Sequence, residues 1–356
     1  MKKVVIIGGG FAGVEVAGRL EKDFEVTLID MKDYFECTVG DPSAILNPSY
    51  LDGMTVPYRS IFRYANIIKA KVTEVTKDEV VCGEGRVPYD YLCIASGSGY
   101  SFPIKPETES AIEERKSAFE DVNRRLREAK DILVIGGGPV GVEVAAGIAS
   151  QYRGKSLTLI ESGPRLLSRL HRSAQEYAEK FFLEKKVRLL LNERIMEQHA
   201  NTYESDKGSS IDADMVFNCI GIKPNTGFLI PHFLENLDDR RRIKVNRSLQ
   251  LEGHPYIFAL GDCNNIQEEK LAINAKRHAT LTVDNILRLN RGIKLQPYAV
   301  SKLSAALIGL GNKKAIMATP WRAFGGNVPH YFKSLEVPLL MKTLTWSYPQ
   351  FIWKVY

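Results

Sequence analysis

"VVIIGGGFAGVEVAGR" (residues 4–19) and "ILVIGGGPVGVEVAAG" (residues 132–147) are nearly the same phrase, and what they share decides the fold. Each opens with a short β-branched run, the pattern of a strand buried on both faces. Each then passes through G-x-G-x-x-G, at Gly8, Gly10 and Gly13 in the first copy and Gly136, Gly138 and Gly141 in the second. A stretch of helical character follows. The first glycine allows a tight turn, the second lets backbone approach a diphosphate, and the third lets helix and strand pack closely. A diphosphate placed there meets free N–H groups and the positive end of the helix dipole.

A lone glycine motif says little, but here the flanks agree. The strand "FEVTLID" ends in Asp30, roughly 20 residues past the glycines, where a carboxylate accepts hydrogen bonds from adenosine ribose hydroxyls. "SLTLIES" repeats that strand after the second copy and ends its apolar run at Glu161. The repeat is too long for a solenoid. The sequence therefore predicts an α/β chain with two Rossmann-like dinucleotide-binding domains.

Composition narrows the class. The 356 residues are 44% apolar and 25% charged, as in ordinary soluble domains, with a formal charge of +6. That charge favours anionic partners such as nucleotides and membrane surfaces, but it is too diffuse to indicate nucleic acid. Arg240, Arg241 and Arg242 follow two aspartates and read as a solvated loop. The five cysteines, Cys37, Cys82, Cys93, Cys219 and Cys263, form no C-x-x-C or C-x₄-C pair, so no metal site and no dithiol centre is expected. An odd count suits a reducing compartment. "MKKVVIIGG" runs straight into a strand, Lys2 stands where N-myristoylation needs glycine, and no apolar run reaches about 20 residues. The expectation is a cytoplasmic protein, peripheral on a membrane if attached to one.

Three further segments assign the sites: "YDYLCIASGS" (89–98), "DMVFNCIGIKPNT" (214–226) and "HPYIFALGDCNN" (254–265). With the glycine repeats they resemble the two-dinucleotide-binding flavoprotein reductases, the pyridine nucleotide-disulfide oxidoreductase-like family, as far as about residue 290. "IDMKDYFE", "GGGPVGVEVAAGI" and "IFALGDC" look most like its apoptosis-inducing-factor-like quinone reductases. The resemblance implies an FAD-binding domain over 1–115 and 240–295 and an inserted NAD(P)H-binding domain over 116–239; a small α+β region is expected over 296–356.

It also implies roles. FAD would lie on Gly8, Gly9, Gly10, Phe11, Ala12 and Gly13, with Asp30 on the ribose and Lys32 reaching the adenosine half. The Val72 backbone would flank the adenine. Ser96, Gly97 and Asp262 would line the ribityl and phosphate region. Where the family has arginine in G-x-x-R-A, this chain reads "GDPSA" with Ser43, and Arg59 or Arg63 would substitute. Gly136, Gly138 and Gly141 would cradle the NAD(P)H diphosphate. Glu143 would stand by the nicotinamide, although Glu15 repeats it in the first copy and a solvated helix residue is the alternative. A carboxylate such as Glu161 within about 4 Å of a 2′-phosphate costs on the order of 1–4 kcal/mol, so NADH is favoured over NADPH, with Arg165 placed to blunt the preference.

Residues 268–289 read as a helix with apolar spacing at Leu271, Ile273 to Ala275 and Leu281, its N-terminal dipole aimed at reduced flavin. Lys270 would lie in its first turn, as a flavin-facing cation or a solvated lysine. His278 is a candidate proton donor or an ordinary helix residue.

The acceptor follows less directly. Quinone reduction leads. The alternative is a soluble reductase of a peroxide, persulfide or electron-carrier protein using Cys37, or a non-enzymatic holder of NADH and FAD that senses redox state. Beyond Pro297 a hairpin is expected around Gly311-Asn312. The end is aromatic and basic, with Tyr331, Phe332, Trp346, Tyr348, Phe351, Trp353 and Tyr356 among Lys333, Lys342 and Lys354. That mixture suits an in-plane membrane contact, and the alternatives are core over the flavin domain or a homodimer face.

Overall fold

The two quoted phrases build the same corner twice. Strand Lys3–Ile7 turns at Gly8, with φ of +96°, into helix Phe11–Leu20, and strand Asp131–Ile135 turns at Gly136, with φ of +106°, into helix Pro139–Gln151. That left-handed backbone favours glycine. A Cβ on Gly13 would collide with the Gly8 carbonyl oxygen, and one on Gly141 with that of Gly136. The third glycine of each motif is thus fixed by helix–strand contact. The computed structural model describes residues 1–101, 103–106, 108–300, 306–311 and 313–347, with the backbone alone at 343 and 345–347.

Around the first corner lies a parallel sheet in the order Ile257–Ala259, Tyr91–Ile94, Lys3–Ile7, Glu25–Asp30 and Asn66–Lys69. Its central strands are apolar and buried along almost their whole length, as expected of strands covered on both faces. Around the second corner the parallel order is Arg188–Leu191, Ser156–Glu161, Asp131–Ile135 and Met215–Asn218. Each unit also carries a three-stranded antiparallel excursion just before its returning strand: Val72–Val75, Glu79–Cys82 and Gly85–Pro88 in one, Ile195–His199, Thr202–Ser205 and Ser210–Asp212 in the other. The chain passes between the units at an antiparallel ribbon, Ser98–Gly99 against Lys223–Pro224.

The helix expected over 268–289 runs from Ala272 to Asn290. Lys270 therefore precedes it instead of sitting in its first turn. The buried face is also displaced: Ile273 is 54% exposed, while Asn274, His278, Ala279, Thr282, Val283 and Ile286 face inward, towards helix Phe11–Leu20.

The carboxy-terminal region forms an antiparallel sheet, Ala306–Gly309, Ala315–Ala318 and Ala323–Gly326, followed by helix Asn327–Ser347. The first two strands are the expected hairpin. The sheet rests on the second unit: Ala323 N–H donates to Ser173 Oγ at 2.8 Å, and a Cβ on Gly325 would run into the Tyr177 ring. The helix reaches the first unit, where Val337 lies against Gly40. Tyr348, Phe351, Trp353, Lys354 and Tyr356, the Trp346 side chain and Asn312 lie outside the described residues. Among the described residues no helix is long and apolar enough to cross a membrane.

Candidate functional site

At the mouth of each sheet an acid clamps the second consecutive glycine of its motif. Asp30 accepts from Gly9 N–H at 2.5 Å and from Lys32 N–H at 2.8 Å; Glu161 accepts from Gly137 N–H at 2.6 Å and from Gly163 N–H at 2.7 Å. The buried Tyr58 hydroxyl donates to the Gly9 carbonyl at 3.0 Å, closing the first turn from behind. Neither following helix has a side-chain cap at its start, and a Cβ on Gly10 or Gly138 would meet no atom within 4 Å. Free N–H groups thus face open space at both helix starts, so the residues fit a dinucleotide diphosphate at each. Ala12 is buried and the half-buried Phe11 packs edge-on against Phe35.

The first site is closed by the returning strands. Ser98 Oγ donates to Asp262 Oδ2 at 2.7 Å, placing the end of "YDYLCIASGS" beside the Gly261–Asp262 turn. Gly97, with φ of +63°, has open space where a Cβ would stand. Ser96 is tied to the other unit, its hydroxyl donating to Asn225 O at 2.7 Å. Val72 opens its strand and is half-buried.

Arg59 and Arg63 are the substitutes expected for the arginine that Ser43 replaces. Arg59 and Arg63 are exposed, and the Arg63 guanidinium lies over the Tyr64 ring on the outside. Cations that are buried or half-buried come from elsewhere. Lys105 Nζ donates to Ser98 O at 2.6 Å and Ser98 Oγ at 2.9 Å, and stands 3.8 Å from Asp262. Its burial lowers the ammonium pKa despite that carboxylate. Arg115 is wholly buried; its Nε donates to Glu36 at 2.8 Å, its Nη2 to Ile104 O at 3.3 Å, and its plane stacks on Phe119. Lys32 joins this group, 3.4 Å from Glu36 and above the Tyr34 ring. Burial alone would raise the Glu36 pKa, but Lys32 and Arg115 outweigh it and hold the carboxyl low. Asp41, 3.8 Å from Arg115 and fully buried, goes the other way: burial and then Glu36 raise its pKa well above the usual range. Nothing local in the sequence marked Lys105 or Arg115: Lys105 folds back on Ser98 to approach Asp262, and Arg115 reaches Glu36 across 79 residues.

Glu143 and Glu15 part company. Glu15 lies near Arg19 and Lys276 at 3.8 and 4.0 Å. Glu143 Oε1 accepts from Lys333 Nζ at 2.7 Å and from Gly309 N–H at 2.7 Å, both from the carboxy-terminal region. Lys333 also lies 2.9 Å from Glu336. Burial lowers the Lys333 pKa, but the two glutamates overcome it and raise the value above that of an ordinary lysine. The sequence showed Lys333 only as one lysine in a basic tail. Cys37 lies beside this group, fully buried, its thiol pushed up to about 12 by burial and then by Asp41 and Glu336.

Two of the residues expected to act at the flavin make close contacts within the fold. His278 is 1% exposed; its Nδ1 accepts from Gly261 N–H at 3.0 Å and its Nε2 lies 2.8 Å from Glu268. Tyr298 donates to the same carboxylate, so the trio pins the Gly261–Asp262 turn in place. Lys270 donates to Asn264 O, Asn264 Oδ1 and Ile266 O at 3.0–3.2 Å, so its ammonium braces the loop after Asp262. No group of metal-ligating side chains occurs among the described residues.

Comparison with known proteins fits this arrangement. Residues 2–279 match the family described as pyridine nucleotide-disulphide oxidoreductase. Ferroptosis suppressor protein 1 of Homo sapiens is 32% identical over 327 residues, covering 88% of this chain and 87% of that one. Apoptosis-inducing factor homolog B of Dictyostelium discoideum is 29% identical over 335 residues, 87% of each. Among solved structures, NDH2 from Plasmodium falciparum in complex with NADH superposes with a TM-score of 0.82 at 18% identity, over 99% of this chain and 98% of that one. The sulfide:quinone oxidoreductase of Aquifex aeolicus gives 0.81 at 19% identity, over 98% and 92%.

Proposed function

The chain belongs to the pyridine nucleotide-disulphide oxidoreductase family and is an FAD-dependent NAD(P)H oxidoreductase, and from that premise we propose that it reduces quinones at a membrane surface. Bound flavin would supply the redox chemistry, taking a hydride from nicotinamide and passing electrons to the acceptor. The protein's task is placement. Helix Pro139–Gln151 starts at the proposed nicotinamide diphosphate cradle and carries Glu143 to the seam between the units. Lys333 of the carboxy-terminal helix meets it there, beside the first unit's Cys37–Asp41 segment. The nucleotide favoured is NADH, because Glu161 would face the ribose of a nucleotide bound at the second glycine turn.

The observation that carries the quinone reading is the two-sided helix Asn327–Ser347. Its inner side brings Lys333 to the seam and packs Val337, Leu340, Met341 and Leu344 on the core. Its outer side exposes Val328 (70%), Tyr331, Phe332 and Leu339 (56%), which share one face at helical spacing. Trp321 and Phe324, in the segment just before the helix, are exposed as well. An in-plane apolar face of this kind rests in a lipid surface and lets a lipid-dissolved acceptor approach without crossing water.

The reading that uses Cys37 is weakened by its burial, because only the thiolate is the nucleophile. An acceptor screen on flavin-loaded protein tests the choice. Rapid NADH oxidation with ubiquinone and menaquinone analogues, unchanged in Cys37→Ser, is expected. Turnover confined to peroxide or persulfide, and lost in that variant, would reverse it.

A further inference from the structure

The loop after Glu161 holds an arginine in a closed grip. Glu161 is fixed at the strand end by two backbone N–H groups, facing the position a dinucleotide's adenosine ribose takes. Arg165 follows four positions later. A guanidinium in this neighbourhood is what accommodates a ribose 2′-phosphate in such folds. Here the fork is occupied. Arg165 Nε donates to Glu179 Oε1 at 3.1 Å and Nη2 to Glu179 Oε2 at 2.6 Å, a two-point pairing with helix Arg172–Glu184, and Nη1 lies 4.0 Å from Glu176. Glu179 also accepts from Leu166 N–H at 3.3 Å, so one carboxylate anchors both the loop and its cation. A planar guanidinium held at both donors of one edge is already matched to a carboxylate and has that edge closed to a phosphate.

We propose that Glu179 is a specificity-determining residue of the nicotinamide-nucleotide site: by clasping Arg165 it withholds the cation that a 2′-phosphate requires, and with Glu161 it selects the unphosphorylated nucleotide. This rests on the reading that the second unit holds the nicotinamide nucleotide. Discrimination then has two layers, a repelling carboxylate on the strand end and an attracting guanidinium kept out of reach on the loop. Loosening the second layer alone leaves NADH the better substrate but admits NADPH.

Glu179→Gln is the test, because its amide oxygen can still accept from Leu166 N–H while the ionic hold on Arg165 is lost. Flavin-loaded protein is titrated with 2′,5′-ADP and with ADP by calorimetry, and kcat/KM is measured with NADPH and NADH. The expected result is binding of 2′,5′-ADP about fivefold tighter, an equal rise in the NADPH/NADH efficiency ratio, and ADP affinity changed by less than about twofold, the scale of one partly exposed charge pair. Arg165→Ala in the Glu179→Gln background should erase the gain. No gain in the single variant, or a gain that survives in the double variant, overturns the proposal; survival would mean that the Glu179 charge repels phosphate directly. If flavin-loaded wild-type protein binds neither ADP nor 2′,5′-ADP, the nucleotide assignment itself fails.

Discussion

Glu143 and Lys333 meet at 2.7 Å across the seam between the second unit and the carboxy-terminal helix. Their side chains are 11% and 17% exposed; Lys333 is the ion-pair partner of Glu143, and Glu336 also faces Lys333 at 2.9 Å. Removing one partner of a fully buried pair costs about 3–5 kcal/mol, and the residual exposure here reduces that to about 1–3 kcal/mol. A double-mutant cycle with Glu143→Gln and Lys333→Met, read by urea unfolding, should give a coupling of at least about 1 kcal/mol. Turnover with NADH and a quinone should fall about 10- to 100-fold in each single variant, the scale of a displaced site group. Wild-type turnover in Lys333→Met would remove the pair from the site.

The second and third glycines of the NAD(P)H motif should fail in different ways. Gly138→Ala adds a methyl group to open space, so the melting temperature should hold while KM for NADH rises about tenfold or more. Gly141→Ala drives a methyl group into the Gly136 carbonyl, and the expected cost is about 1–3 kcal/mol of stability. Equal melting curves for the two variants would contradict this division.

Lys105, and not Arg63, should carry the charge lost with the arginine that the family places where Ser43 stands. Lys105→Met should weaken FAD about tenfold in reconstitution of the apoprotein followed by flavin fluorescence, the scale of one charge-assisted contact. Arg63→Ala should leave FAD affinity unchanged.

These cases show what the sequence made legible. The glycine turns, the acids Asp30 and Glu161 and the "IFALGDC" strand are local patterns, each enforced by backbone geometry within a few residues. The family resemblance also pointed to Glu143, but its partner lies beyond the region the resemblance covers. Arg115 and Lys333 act through contacts between distant segments, Lys105 folds back on Ser98, and no spacing rule marks any of them. His278 and Lys270 are polar residues beside a cofactor motif, the first accepting from Gly261 N–H and the second donating to the loop after Asp262.

Asp41 should make stability depend on pH. Its pKa is raised in the folded protein, by burial and then by Glu36, so its contribution is complete below the unfolded value and declines as pH rises towards the folded one. Asp41→Asn lacks this titration. The melting temperature of the variant relative to wild type should therefore rise from pH 4 to pH 8 in thermal unfolding. A constant difference would mean that Asp41 ionises as it does in the unfolded chain.

The outer face of the last described helix should govern lipid attachment. Phe332→Glu with Leu339→Glu places two charges on exposed positions, so folding should be unaffected. Flotation with anionic vesicles should show wild-type protein with the lipid and the double variant in the aqueous fractions. Turnover of a water-soluble quinone should persist. Equal flotation would move the contact elsewhere on the surface.

The amino-terminal sheet receives one of its two edge strands, Ile257–Ala259, only after the chain has passed through the whole second unit. On the ribosome, Tyr91–Ile94 therefore waits with one side unpaired while the inserted unit emerges and has the opportunity to fold first. The order of synthesis is thus the reverse of the order of completion, and a stalled or truncated nascent chain exposes an apolar strand edge whose natural cover has yet to be translated.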